Sequence, residues 1–254
     1  RGCSKRCSWK RWKSRPPPEF RSALLGRMSR FSDTPIPLPR RIWFPDPRSA
    51  DAEGLVAVGG DLSVERLLLA YRSGLFPWTH DPVTWWSPDP RAIMEFEHFH
   101  VPRSLAKLMR KQPFEITVDR AFRAVMMGCA ESGDGRTGTW ITPEFIAAYS
   151  RLHAAGHAHS LECWQGGALV GGIYGVAIGG FFAGESMFHR VSNASKVALV
   201  HLVIRLREQG FVLFDIQMLT PITRQFGAVE IPRADYLARL AIAVAKPRVA
   251  WGPQ

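Results

Sequence analysis

AHSLECWQGGALVGGIYGVAIGGFFAGESMF, residues 158–188, divides into three β-rich runs separated by the short breaks Gln165-Gly166-Gly167 and Gly179-Gly180. Breaks of this length and composition are hairpin connections, so the three runs are expected to form an antiparallel meander. Upstream, TPEFIAAYSRLHAAG (142–156) predicts an amphipathic helix, with Thr142 as cap, Pro143 in the first helical position and Gly156 as its stop. Before it, VPRSLAKLMRKQ (101–112) reads as a helix, PFEITVD (113–119) as a strand and RAFRAVMMGCAE (120–131) as a second helix. Downstream come a helix over NASKVALVHLVIRLREQG (193–210), a strand over FVLFDIQM (211–218) and a closing helix near ADYLARLAIAVA (234–245). Helices packed on a mixed, mostly antiparallel sheet make an α+β fold, and no internal repeat is evident.

The 254 residues can bury a substantial core in one large or two modest domains. Residues 32–92 are expected to form a small N-terminal domain and 93–254 a larger one. From Phe44 to Arg91 the composition turns to Pro, Gly and Trp, which suggests a loop-rich unit holding one short helix, VERLLLAYRSG, ended by Gly74. Trp78, Trp85 and Trp86 crowd this unit, either as a core corner or as a platform on which a base stacks. Charge is uneven: residues 1–41 carry 12 Lys and Arg against Glu19 and Asp33, whereas the remaining 21 basic residues face 20 acidic ones. The high pI therefore belongs to a basic tail, residues 1–31, whose poor apolar periodicity and three consecutive prolines suggest disorder. Met28 is a candidate alternative start. Neither a secretory signal nor a membrane-length apolar run is recognisable, so a cytoplasmic protein is expected. Cys3, Cys7, Cys129 and Cys163 are expected to stay reduced, and no metal site is expected from their spacing.

Polar residues inside apolar runs mark the candidate chemistry. In FVLFDI (211–216) and the Gln217 that follows, strand alternation places Asp215 and Gln217 on one side, where the carboxylate could hold the amide. Glu185 sits within FFAGESMF (181–188). A buried carboxylate demands a partner, either Arg190 or Lys196 within the chain or the cation of a ligand. Arg103, Lys107, Arg110 and Lys111 fall on one helical face with no carboxylate in 101–112 to balance them, a pattern suited to phosphates. Trp140 follows the Gly-rich segment 133–138 and is a second candidate aromatic wall. Ile173, Phe182, Leu199, Leu202 and Phe214 could line a pocket for an apolar side chain, or be plain core.

GLVAVGGDLS, SGLFPW, WWSPDPR, GTWITPEF, GHAHSLECW, LVGGIYGV, FFAGESMF, NASKVAL, DIQ and EIPRADYL occur here in an order and spacing similar to those of the leucyl/phenylalanyl-tRNA protein transferases. The resemblance covers about Ile42 to Tyr236 and not the basic tail. It implies an acetyltransferase-like (GNAT-type) larger domain and a cofactor-free enzyme. Such an enzyme moves Leu or Phe, with Met as a further donor, from aminoacyl-tRNA to the N-terminal Arg or Lys of a protein, marking it for degradation. By position, the resemblance implies that Trp78 and Trp140 flank the terminal adenosine. Ile173, Phe182, Gly184, Leu199, Leu202 and Phe214 would bind the transferred side chain, and Arg103, Lys107, Arg110 and Lys111 the acceptor stem. Glu185 would receive the acceptor's cation, and Asp215 would orient Gln217 beside its amine. Relatives often have Met at the position of Ile173, and many show Asn and His within the stretch matching MLTPITRQFGA (218–228), which this chain lacks. A monomer is expected.

Two other readings compete. An acetyl-CoA-dependent N-acetyltransferase would need a Gly-rich pyrophosphate turn, but RVSNAS (190–195) before the helix has no glycine. A non-catalytic RNA-binding module would suit the basic tail and tryptophans but leaves Glu185, Asp215 and Gln217 unexplained.

Overall fold

The computed structural model describes residues 36–38, 41–131, 139–248 and 251; the basic tail and the segment 133–138 lie outside them. The N-terminal region departs from the loop-rich expectation. Its strands β1 (Ile36–Leu38), β2 (Leu55–Gly59), β3 (Phe76–His80) and β4 (Val83–Trp86) form a sheet in the order β1-β2-β4-β3. The strands are short and interrupted by Pro and Gly, which hides their alternation in the sequence, but β4 is buried along its whole length. Trp85 and Trp86 are core residues. The Trp85 indole donates to the Gly59 carbonyl (2.9 Å) and that of Trp86 to the Thr84 hydroxyl (2.9 Å).

Helix α1 (Val64–Arg72) starts at Ser63, whose hydroxyl accepts from the Arg66 amide, and ends before Gly74 at φ +83°. That glycine is required twice over: left-handed backbone disfavours a side chain, and a Cβ there would lie 2.5 Å from Leu237 Cδ2.

The larger sheet comprises β5 (Arg91–Met94), β6 (Glu115–Val118), β7 (Ala158–Gln165), β8 (Ala168–Ile178), β9 (Phe181–His189), β10 (Leu213–Gln217) and β11 (Ala228–Ile231). Their order is β11-β5-β10-β9-β8-β7-β6. The meander β7-β8-β9 is antiparallel as expected, whereas β10 runs parallel to β9. A parallel return needs a crossover, supplied by the long helix between them. Strand β5 spans residues 91–94 and pairs with both β10 and β11, so the expected boundary at 92/93 falls inside a strand of this sheet.

The helices of this part are α2 (Arg103–Met109), α3 (Phe122–Ala130), α4 (Pro143–Ala154), α5 (Ala194–Glu208), α6 (Pro221–Arg224) and α7 (Arg233–Val244). Helix α2 is shorter than expected: Arg110 is its C-cap, and the chain turns away through Gln112 at φ 48°. Thr142 occupies the N-cap of α4 with extended backbone but without a side-chain capping bond. Gly156 at φ +73° stops the helix. In the stretch 218–228, Thr220 and Thr223 form a reciprocal capping box on α6.

Two apolar clusters hold the fold. One joins the small sheet, α1, α3, α4 and one face of the large sheet through Tyr71, Trp85, Phe145 and Tyr174. The other lies between the large sheet and α5 and contains Ile173, Phe182, Leu199, Leu202 and Phe214. Among the described residues no helix is long and apolar enough to cross a membrane.

Candidate active site

Strand β10 carries Asp215, which is fully buried and satisfied by four donors. Its Oδ1 accepts from Arg91 Nε (2.9 Å) and from the Gln217 main-chain amide (2.9 Å); its Oδ2 accepts from Arg91 Nη2 (2.7 Å) and the Tyr236 hydroxyl (2.9 Å). Arg91, 1% exposed, also donates through Nη1 to the Gly74 carbonyl at 3.3 Å. Its guanidinium lies over the rings of Phe76 and Tyr236, 4.9 and 4.4 Å from their centroids. Burial opposes the charge on Arg91, but the Asp215 carboxylate outweighs it and holds the guanidinium ionised.

The alternation expected for Asp215 and Gln217 breaks. The register with β5 shifts between them, and Gln217 has φ +55°. Asp215 therefore grips the main chain of Gln217 rather than its side-chain amide. That amide turns to Glu185, with Nε2 donating to Oε1 at 3.1 Å. Glu185 retains some exposure in β9 yet is closely surrounded by protein. Burial pushes its carboxyl up to about 8, the hydroxyls of Tyr71 and Tyr149 oppose this by stabilising the carboxylate, and the Asp215 charge adds to the rise. Tyr71 and Tyr149 also hydrogen-bond each other closely.

Neither cation expected inside the chain serves Glu185. Arg190 pairs with Glu131 at 2.7 Å, and Lys196 makes no salt bridge among the described residues. Hydroxyls and an amide surround the carboxyl instead, because α1 and α4 present Tyr71 and Tyr149 to β9.

Phe182 and Phe214 pair edge to face at 5.6 Å, and Ile173, Leu199 and Leu202 join them in the cluster under α5. Gly184 makes room for this arrangement, since a Cβ there would meet Phe214 Cε2 at 2.9 Å. Trp78 and Trp140 are part-buried against the other cluster. Trp78 meets Trp86 edge-on (5.6 Å), and Trp140 meets Phe145 likewise (5.3 Å). The segments carrying them meet where His80 in β3 lies 3.6 Å from Glu144 at the start of α4. Arg103, Lys107, Arg110 and Lys111 are all exposed, and no carboxylate among the described residues pairs with them. Only Arg103 and Lys107 lie within α2; Arg110 caps it and Lys111 follows.

Arg91, Tyr236, Tyr71 and Tyr149 were not singled out from the sequence. One signal was available for Arg91: RAIM and LFDI are apolar strands with one charge each, of opposite sign. Among the described residues, Asp119, His153 and His159 bring ligand atoms within 4.8 Å of one another. Their own bonding accounts for this: Nδ1 of His159 lies 2.7 Å from Asp119 Oδ2, and Nδ1 of His153 lies 2.7 Å from the Ala158 carbonyl. Cys129 is part-buried and Cys163 buried, both as free thiols.

The family model described as leucyl/phenylalanyl-tRNA protein transferase matches residues 93–241, and the model for that family's N-terminal domain matches residues 60–89. The chain belongs to the leucyl/phenylalanyl-tRNA protein transferase family. Relatives of that name support the assignment. The one from Anaeromyxobacter sp. (strain Fw109-5) is 53% identical over 213 residues, covering 83% of this chain and 91% of the relative. The one from Thiobacillus denitrificans is 52% identical over 217 residues, covering 84% and 95%. Among solved structures, L-PGS from Bacillus licheniformis gives a TM-score of 0.39 at 14% identity, covering 65% of this chain and 54% of that one. A GCN5-related N-acetyltransferase from Kribbella flavida gives 0.36 at 13% identity, covering 64% and 59%.

Proposed function

We propose that this protein transfers Leu or Phe from aminoacyl-tRNA to the N-terminal Arg or Lys of an acceptor protein, marking it for degradation. The observation that carries this reading is Glu185, a carboxyl enclosed by Tyr71, Tyr149 and Gln217 with no salt-bridge partner among the described residues. An arriving guanidinium or ammonium supplies that partner. The carboxyl then loses its proton, and the pair is charged and hydrogen-bonded.

The reaction is aminolysis of an ester. The acceptor's α-nitrogen attacks the ester carbonyl carbon, the C–N bond forms, the bond to the tRNA ribose oxygen breaks, and the amine's surplus proton ends on that oxygen. The ester is already activated, so orientation supplies much of the acceleration. With Nε2 engaged by Glu185, the Gln217 amide presents Oε1 as an acceptor for an amine N–H, which aims the nitrogen lone pair away from it. An amide is too weak a base to take the proton outright, so Gln217 orients rather than deprotonates.

Trp78 and Trp140 would hold the terminal adenosine, and the cluster of Ile173, Phe182, Leu199, Leu202 and Phe214, with Gly184, the apolar donor side chain. Ile173, where relatives often carry Met, tunes preference among Leu, Phe and Met. Arg103, Lys107, Arg110 and Lys111 would contact the acceptor stem. Incubating labelled Leu-tRNA or Phe-tRNA with Arg-, Lys- and Ala-initiated peptides tests the proposal. Transfer confined to the first two supports it; transfer to none, or saturable CoA binding without tRNA binding, overturns it.

A further inference from the structure

We infer that Arg91 and Tyr236 are positioning residues for the transfer reaction: together with Asp215 they form a buried strut that fixes the end of α1 relative to the turn at Gln217. This deepens the proposed function and rests on it for the identity of the reacting groups.

Two facts exclude Asp215 from handling protons. Its oxygens accept from four donors, two on each, which fills the acceptor capacity of a carboxylate. It is also in bidentate contact with a guanidinium that stays charged at all accessible pH. No lone pair remains for substrate or for the Gln217 side chain, and protonation would break the pair. Asp215 therefore acts only through the main chain, by holding the Gln217 amide in a left-handed turn that a side chain disfavours. Release of that turn would restore strand alternation and swing the Gln217 side chain away from Glu185.

Arg91 extends the same control across the site. Beyond its fork to Asp215, its third donor binds the Gly74 carbonyl, three residues after Tyr71. One planar group thus spans the helix that delivers Tyr71 to Glu185 and the strand end that delivers Gln217 to it. Flanking rings of Phe76 and Tyr236 keep the plane from rotating. Lys cannot reproduce this, having a single point charge and no fork. Tyr236 completes the carboxylate shell from α7, and its hydroxyl is removable without changing the ring that packs on Arg91.

Tyr236→Phe and Arg91→Lys test the strut, with thermal melting to confirm folding. Transfer of Phe from Phe-tRNA to an Arg-initiated peptide should lose about tenfold in kcat, as expected of misaligned reacting groups. KM for aminoacyl-tRNA should change less than about twofold, and the pH dependence of kcat should keep its shape. In ¹⁵N spectra of the full chain, the main-chain and side-chain amide signals of Gln217 should shift in both variants. Wild-type kcat in the folded variants, or unshifted Gln217 signals, would overturn the inference. Should Arg91→Lys fail to fold, Tyr236→Phe decides alone. Should the wild-type protein transfer nothing, the proposed function fails, and the Gln217 signals still decide whether the strut exists.

Discussion

Burial pushes the Glu185 carboxyl up to about 8 against a usual 4.5, which favours its protonated form at neutral pH. A carboxyl raised in the folded state favours folding fully below its unfolded value, and that contribution is lost as pH rises through the folded one. Stability should therefore fall between about pH 4.5 and 8 from this group, and Glu185→Gln should flatten that slope in urea unfolding followed across the range. Acceptor binding carries the opposite sign. In the proposed acceptor complex a cation would displace the proton, so affinity for an Arg-initiated peptide is expected to rise with pH toward about 8. Calorimetry in buffers of differing ionisation enthalpy should show about one proton fewer released by Glu185→Gln than by the wild type. Glu185→Ala should weaken the acceptor peptide more than the aminoacyl-tRNA, measured as separate Kd values. Equal losses would remove Glu185 from acceptor recognition. That Glu185 needed a partner was legible from a carboxylate among aromatic residues. That its neighbours are Tyr71 and Tyr149 was not, because neither tyrosine stands out from an amphipathic helical pattern.

Strand β10 shows where element-level reading succeeds and stops. Its apolar run predicts a buried strand, and it is one. The register shift at Gln217 is not encoded in alternation, because a bulge depends on which strand lies alongside and what holds the extra residue. Here β5 lies alongside, and Asp215 holds the amide of Gln217, just beyond the extra residue Ile216. The Arg91–Asp215 pair should be costly to break from one side: Asp215→Ala strands a buried guanidinium and is expected to lose about 3–5 kcal/mol in denaturant unfolding. Strand β8 offers a purely steric counterpart. A Cβ on Gly175 would lie 2.2 Å from the Ala183 carbonyl oxygen, where β8 and β9 also shift register. Gly175→Ala should therefore cost about 1–3 kcal/mol by overpacking, measured the same way. The hairpins of β7, β8 and β9 were readable because paired glycines end each run. The strands of the small sheet were not, since runs of three to five residues, several holding Pro or Trp, are too short to show a period.

For the whole molecule, the exposed cations at and beyond α2 are the proposed contact with the tRNA. Arg103, Lys107, Arg110 and Lys111 face solvent without acidic partners, whereas Arg190 and Arg239 are engaged by Glu131 and Glu95. Neutralising all four to Gln should weaken aminoacyl-tRNA binding and reduce the slope of log K against log salt by about 3 if each contacts a phosphate. An unchanged slope would place the tRNA elsewhere. The sequence by itself determined the run of elements from α2 to β10, the α+β class, the antiparallel meander and the family, because these follow from local periodicity, turn residues and ordered motifs. Only the tertiary structure decided that Asp215 is held by Arg91, 124 residues away in the chain, and by Tyr236, and that Gln217 turns from its own strand to reach Glu185. Periodicity encodes which face of an element is buried. The partner a buried charge meets there depends on sheet order and on which distant strand brings the complementary group, and local pattern carries no information about either.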